Sequence, residues 1–94
     1  MIETSNTTVN VPAISVRVLF FSVLREQVGR SSLEVSIPTG SHARHLVDHL
    51  STMYPAIEAY RSIIRVAINQ EYVDNTVEIN HNDEVALITP VSGG

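Results

Sequence analysis

Residues 41–55 read SHARHLVDHLSTMYP, and the spacing of their apolar members sets the architecture. Ala43, Leu46, Val47, Leu50 and Met53 recur three and four apart, which lines one face of an α-helix. Ser41 suits the N-cap, where a hydroxyl oxygen accepts from a backbone N–H that has no partner within the helix. Pro55 closes the segment, because a proline drives the residue before it out of helical geometry. His42, His45 and His49 also fall three and four apart, beside the apolar stripe. Asp48 does not share their side, so the trio lacks the further ligands that a metal centre needs. A solvated polar flank holding no metal is the expectation.

On both sides of this helix the period changes from that of a helix to that of a strand. ISVRVLFF (14–21) is β-branched and aromatic and reads as a strand. SVLREQV (22–28) offers a turn or two of helix stopped by Gly29. LEVSIP (33–38) alternates Leu33, Val35 and Ile37 against polar residues, a half-buried strand. After the loosely patterned AIEAYRS (56–62), IIRVAINQEYV (63–73) reads as one strand with Ile64, Val66 and Ile68 in phase. TVEI (76–79) is a short strand, and the cluster NHND (80–83) is a turn with Asn82 suited to left-handed geometry. EVALIT (84–89) is the last strand.

One amphipathic helix and four to five strands bury the helix stripe on one sheet face, a two-layer α+β packing. Strand parity assigns the faces. Val16, Val18 and Phe20 share one side of the first strand with Val85 and Leu87 of the last. Arg17, Leu19, Phe21, Glu84, Ala86 and Ile88 take the other. A face turned away from the helix that still carries Leu19, Phe21, Ala86 and Ile88 is a candidate docking patch.

The chain has 94 residues, enough for one domain over 14–94, preceded by a Thr/Asn/Ser-rich stretch, 1–13, expected to be a flexible leader. Its net charge of −4 argues against a phosphate-backbone binder, so no nucleic-acid partner is expected. No apolar run approaches a membrane span and the N-terminal stretch lacks a targeting pattern, which points to the cytoplasm. Cysteine is absent, which removes disulfides, thiolate ligands and cysteine nucleophiles. All six cations are arginine. No catalytic triad, carboxylate pair or Gly-rich phosphate loop stands out, so a self-contained active site is not expected.

What remains is the ending, PVSGG (90–94). Gly94 ends in a carboxylate at neutral pH. With no side chains on Gly93 and Gly94, that carboxylate can thread a narrow channel, while Pro90 stiffens the exit from the sheet and Val91 and Ser92 give limited anchoring. A frayed end of no consequence is the alternative.

The blocks VRVLFFSVLREQVG (16–29), VAINQEYV (66–73) and NDEVALITPVSGG (82–94) together resemble the sulfur-carrier subunits of molybdopterin synthase, within the ubiquitin-like β-grasp family. The family commonly has Gly where Asn82 stands and two prolines where this chain has Thr89-Pro90. The resemblance implies a β-grasp sheet on one main helix and a non-catalytic sulfur donor. An activating enzyme of the ubiquitin-activating type would use ATP to adenylate Gly94, and a sulfurtransferase would convert it to a thiocarboxylate. The tail, Pro90 to Gly94, would then enter the large synthase subunit and donate sulfur to cyclic pyranopterin monophosphate, in a heterotetramer. No cofactor is expected in this chain itself. Phe21, Tyr72 and Ile88 match the family's docking positions; parity alone finds Phe21 and Ile88 but not Tyr72. Two other readings stay open, a sulfur carrier for thiamin thiazole synthesis and a ubiquitin-like protein modifier. Growth with nitrate against growth without thiamin separates the carriers, and the lack of lysine argues against lysine-linked chains of the protein itself.

Overall fold

The computed structural model describes residues 12–90. The expected leader therefore lies almost wholly outside the described residues, as do Val91, Ser92, Gly93 and Gly94. Five strands form one mixed sheet in the order β2-β1-β5-β3-β4. These are β1 (Ala13–Phe20), β2 (Ser32–Pro38), β3 (Arg65–Ile68), β4 (Glu71–Val73) and β5 (Glu84–Ile88). The central pair, β1 and β5, is parallel, with Val18 opposite Val85 and Phe20 opposite Leu87. The other pairings are antiparallel.

The helices are α1 (Ser22–Val28), α2 (Ala43–Met53) and α3 (Pro55–Tyr60), followed by a 3-10 turn over Arg61–Ile63. α2 buries Ala43, Leu46, Val47 and Leu50, as its spacing predicts. These pack on Val16, Val18, Phe20, Val35, Ile37, Val66, Val85 and Leu87 from the sheet's inner face. A fully buried side chain of this kind contributes about 1.5–3 kcal/mol, so this layer holds the fold together. The Met53 side chain, at the last turn, is instead 46% exposed. Gly29 ends α1 at φ 88°, where its N–H reaches the Arg25 carbonyl at 2.9 Å. That left-handed position carries no steric penalty only for glycine.

Four local readings change. IIRVAINQEYV is not one strand: the chain reverses at Asn69 and Gln70, with φ of 51° and 74°, and returns as β4. A two-residue turn with both φ positive matches the right-handed twist of the strands it joins. TVEI is not a strand of the sheet. It makes a single bridge, Glu78 with His42, and works as a backbone cap for α2. The N–H groups of Ala43 and Arg44 donate to the carbonyls of Val77 and Asn75, both at 2.9 Å. Those donors open a helix and have no partner inside it. This segment also delivers Ile79 into the core at 1% exposure.

The N-cap is His42 rather than Ser41. Ser41 is buried and donates its hydroxyl to the Pro38 carbonyl at 2.6 Å, which fixes the turn into the helix. Pro55 opens α3 as well as following α2, since a proline at the first helical position loses no hydrogen bond. The unpatterned AIEAYRS is thus mostly α3, held by the buried Ile57.

Candidate functional site

The sheet's outer face is built by register. Leu19, Ala86, Ala67 and Tyr72 form one row across β1, β5, β3 and β4. Ile88 and Arg65 are paired in the next row toward the end of β5. Leu19, Ala86 and Ile88 are half-buried, while the Tyr72 ring is 60% exposed. The Arg65 guanidinium lies over that ring, 4.8 Å from its centroid. At the far end of the face Arg17 and Glu34 form an exposed ion pair at 3.6 Å, a contact of little energetic weight.

Phe21 follows β1 directly and keeps extended backbone, φ −129° and ψ 157°, as the N-cap of α1. The chain then turns sharply at Ser22, whose φ of 50° is left-handed. This keeps Phe20 in the core at 1% exposure and leaves Phe21 at the surface, 41% exposed. Beyond Ile88, Thr89 is half-buried and Pro90 exposed. Pro90 lines a cleft of about 500 Å³ with Ser62, Ile63, Ile64 and Arg65. The structure therefore places Ile88, Arg65 and Pro90 at the same end of the sheet.

Sequence reasoning missed Arg65 and Ile63 here, and it reached Tyr72 only through family resemblance. The signal for Tyr72 was the Asn69-Gln70 turn: read as a hairpin, it sets Tyr72 opposite Ala67. Ile63 is 48% exposed beside the tail's root, and no periodicity marks it.

The three histidines do not share a helical face, because His42 precedes α2 in extended geometry. Its N–H donates to His45 Nδ1 at 2.9 Å and the two rings stack, centroids 5.0 Å apart. Among the described residues no group of three or more His, Cys, Asp or Glu gathers to hold a metal ion. A second cleft, of about 550 Å³, lies beside Arg61, which is engaged with Asp48 and Glu58. No helix among the described residues is long and apolar enough to cross a membrane.

The sequence model of the ThiS family matches residues 18–94. The chain belongs to the ThiS family. Among curated relatives, the molybdopterin synthase sulfur carrier subunit of Arabidopsis thaliana is 35% identical over 82 residues, 87% of this chain and 85% of that protein. The protein of the same name from Dictyostelium discoideum is 37% identical over 81 residues, 83% and 94% of the respective lengths.

Among solved structures, SAMP1 of Haloferax volcanii has a TM-score of 0.75 and 28% identity, covering 85% of this chain and 99% of that one. A complex of subunits 1 and 2 of the molybdopterin-converting factor from Helicobacter pylori gives 0.62 at 17% identity, covering 86% of this chain and 100% of its match. The latter likeness speaks to the fold alone. Together these neighbours make the two-layer sheet and helix of this ThiS-family chain a ubiquitin-like β-grasp.

Proposed function

We propose that this ThiS-family chain is the sulfur carrier subunit of a molybdopterin synthase, a non-catalytic donor working in the cytoplasm. The observation that carries this reading is the end-to-end similarity to relatives of that name, 35–37% identical over most of both chains. The family match also runs through Gly94 itself. In this reading the Gly94 carboxylate attacks ATP on an activating enzyme, forming an acyl-adenylate and releasing pyrophosphate. Sulfide-level sulfur delivered by a sulfurtransferase then attacks the acyl carbon, forming the C–S bond as the C–O bond to AMP breaks, and leaves a thiocarboxylate. The ionised sulfur is the nucleophilic form, as for a thiolate. With no cysteine in the chain, the activated C-terminus is the carrier that remains.

Phe21, Tyr72 and Ile88 dock the synthase large subunit, and Pro90 directs Val91, Ser92, Gly93 and Gly94 into its active site. Holding each tail residue there costs about 1–2 kcal/mol of conformational entropy. Phe21 is 41% exposed and Ile88 half-buried, so covering them contributes a fraction of the about 1.5–3 kcal/mol of full burial each and offsets part of the tail's ordering cost. Neither ATP nor any other cofactor is held by this chain; ATP belongs to the activating enzyme.

Reconstitution tests the reading. The sulfur-loaded chain mixed with the large subunit and cyclic pyranopterin monophosphate yields molybdopterin, and the Gly94-carboxylate form does not. Failure of the loaded form to yield product contradicts the proposal.

A second reading, a protein modifier, is favoured by the 28% identity to SAMP1, whose fuller name is small archaeal modifier protein 1. It predicts adducts on many cellular proteins that survive thiols and denaturant.

A further inference from the structure

The outer face holds two arginines in different circumstances. Arg17 is paired with Glu34. Arg65 is exposed and, among the described residues, has no acidic partner, although it stands opposite Ile88 and over the Tyr72 ring. Asp74 follows β4 directly, one step past the ladder pair of Val66 and Val73, and no ion pair joins it to Arg65. The guanidinium instead lies 4.8 Å from the centroid of Tyr72. This cation–π contact positions the guanidinium, which among the described residues makes no side-chain hydrogen bond or ion pair.

The consequence rests on the sulfur-carrier reading. A partner that covers Ile88 and Tyr72 also takes Arg65 out of water. A desolvated cation with no counter-charge is strongly unfavourable, and a bidentate carboxylate relieves it best. We infer that Arg65 is a specificity-determining residue of the docking face, and that it receives an aspartate or glutamate side chain of the synthase large subunit. The tyrosine orients the fork, the carboxylate closes on it, and Ile88 and Pro90 flank the pair where the tail leaves the sheet.

The test uses the full chain and the purified large subunit, with affinity measured by calorimetry at two salt concentrations. Arg65→Leu keeps an apolar stem and removes the fork, which leaves the partner's carboxylate buried and unpaired. Binding then weakens by roughly thirtyfold or more at both salt concentrations, since a desolvated ion pair is only weakly screened. Arg65→Lys keeps the charge and falls between the two. Arg65→Glu combined with Lys in place of the matching acidic residue of the large subunit restores affinity. An unchanged melting temperature in each variant shows that the fold is intact, as expected for an exposed side chain. Arg65→Leu binding as tightly as the unaltered chain, or more tightly, overturns the inference and leaves the sulfur-carrier reading standing. Failure of the unaltered chain to bind the large subunit overturns both.

Discussion

The Asn69 side chain clamps the start of β5 from the β3–β4 turn: its Oδ1 accepts from the Glu84 N–H at 3.0 Å while its Nδ2 donates to Asp83 Oδ1 at 2.9 Å. The backbone closes the same loop, with Asn69 N–H donating to the Glu84 carbonyl at 2.8 Å. Asp83 in turn accepts the Asn80 N–H at 2.8 Å through its other oxygen. One residue in left-handed geometry thus ties a hairpin to the turn that launches the central strand and the tail beyond it.

Asn69→Ala removes both side-chain bonds, leaves the Glu84 N–H short of an acceptor, and places alanine at φ 51°. The expected loss is about 1–3 kcal/mol of stability, read from the denaturant midpoint at unchanged slope. An unaltered midpoint contradicts the clamp.

At Asn82, φ 70°, the backbone alone decides. Its N–H donates to the Ser15 carbonyl at 2.8 Å, so the position is fixed from both sides. Asn82→Gly keeps or slightly raises stability, whereas Asn82→Val lowers it by about 1–2 kcal/mol. Thermal melts of the pair distinguish this from an effect of the side-chain amide, which predicts that both variants lose stability.

Ile88→Asp and Phe21→Asp leave a folded chain that still accepts adenylate but binds the large subunit at least about tenfold more weakly. Equal affinity in both variants removes the patch from the account.

Within the core, Leu46 is fully buried between α2 and the sheet. Leu46→Ala costs about 2–5 kcal/mol in equilibrium unfolding, through lost transfer energy and the cavity left behind. A smaller effect would mean that the neighbouring side chains collapse into the space.

Period and parity carried most of the architecture. The stripe of Ala43, Leu46, Val47 and Leu50, the Gly29 stop, and the opposed faces of β1 and β5 are all local patterns, and the structure has each of them. What escaped depends on partners distant in sequence. TVEI looks like a strand because Val77 and Ile79 alternate, yet its backbone is committed to the start of α2, with Val77 accepting from Ala43 and Ile79 donating to Ser41. His42 displaced Ser41 as the cap because Ser41 is occupied by Pro38. The outer face was half legible: parity sets Phe21 and Ile88 apart from the core-facing residues, but Tyr72 and Arg65 come together only once the Asn69-Gln70 turn folds β4 onto β3.

The most direct test of the carrier role is intact mass of the protein after incubation with its activating enzyme, ATP and a sulfur source. The carrier role predicts a gain equal to the exchange of one oxygen for sulfur, located on the peptide that ends in Gly94. It also predicts no gain when one residue is added after Gly94. Unmodified mass under conditions that load another carrier, or loading of the extended chain, would contradict it.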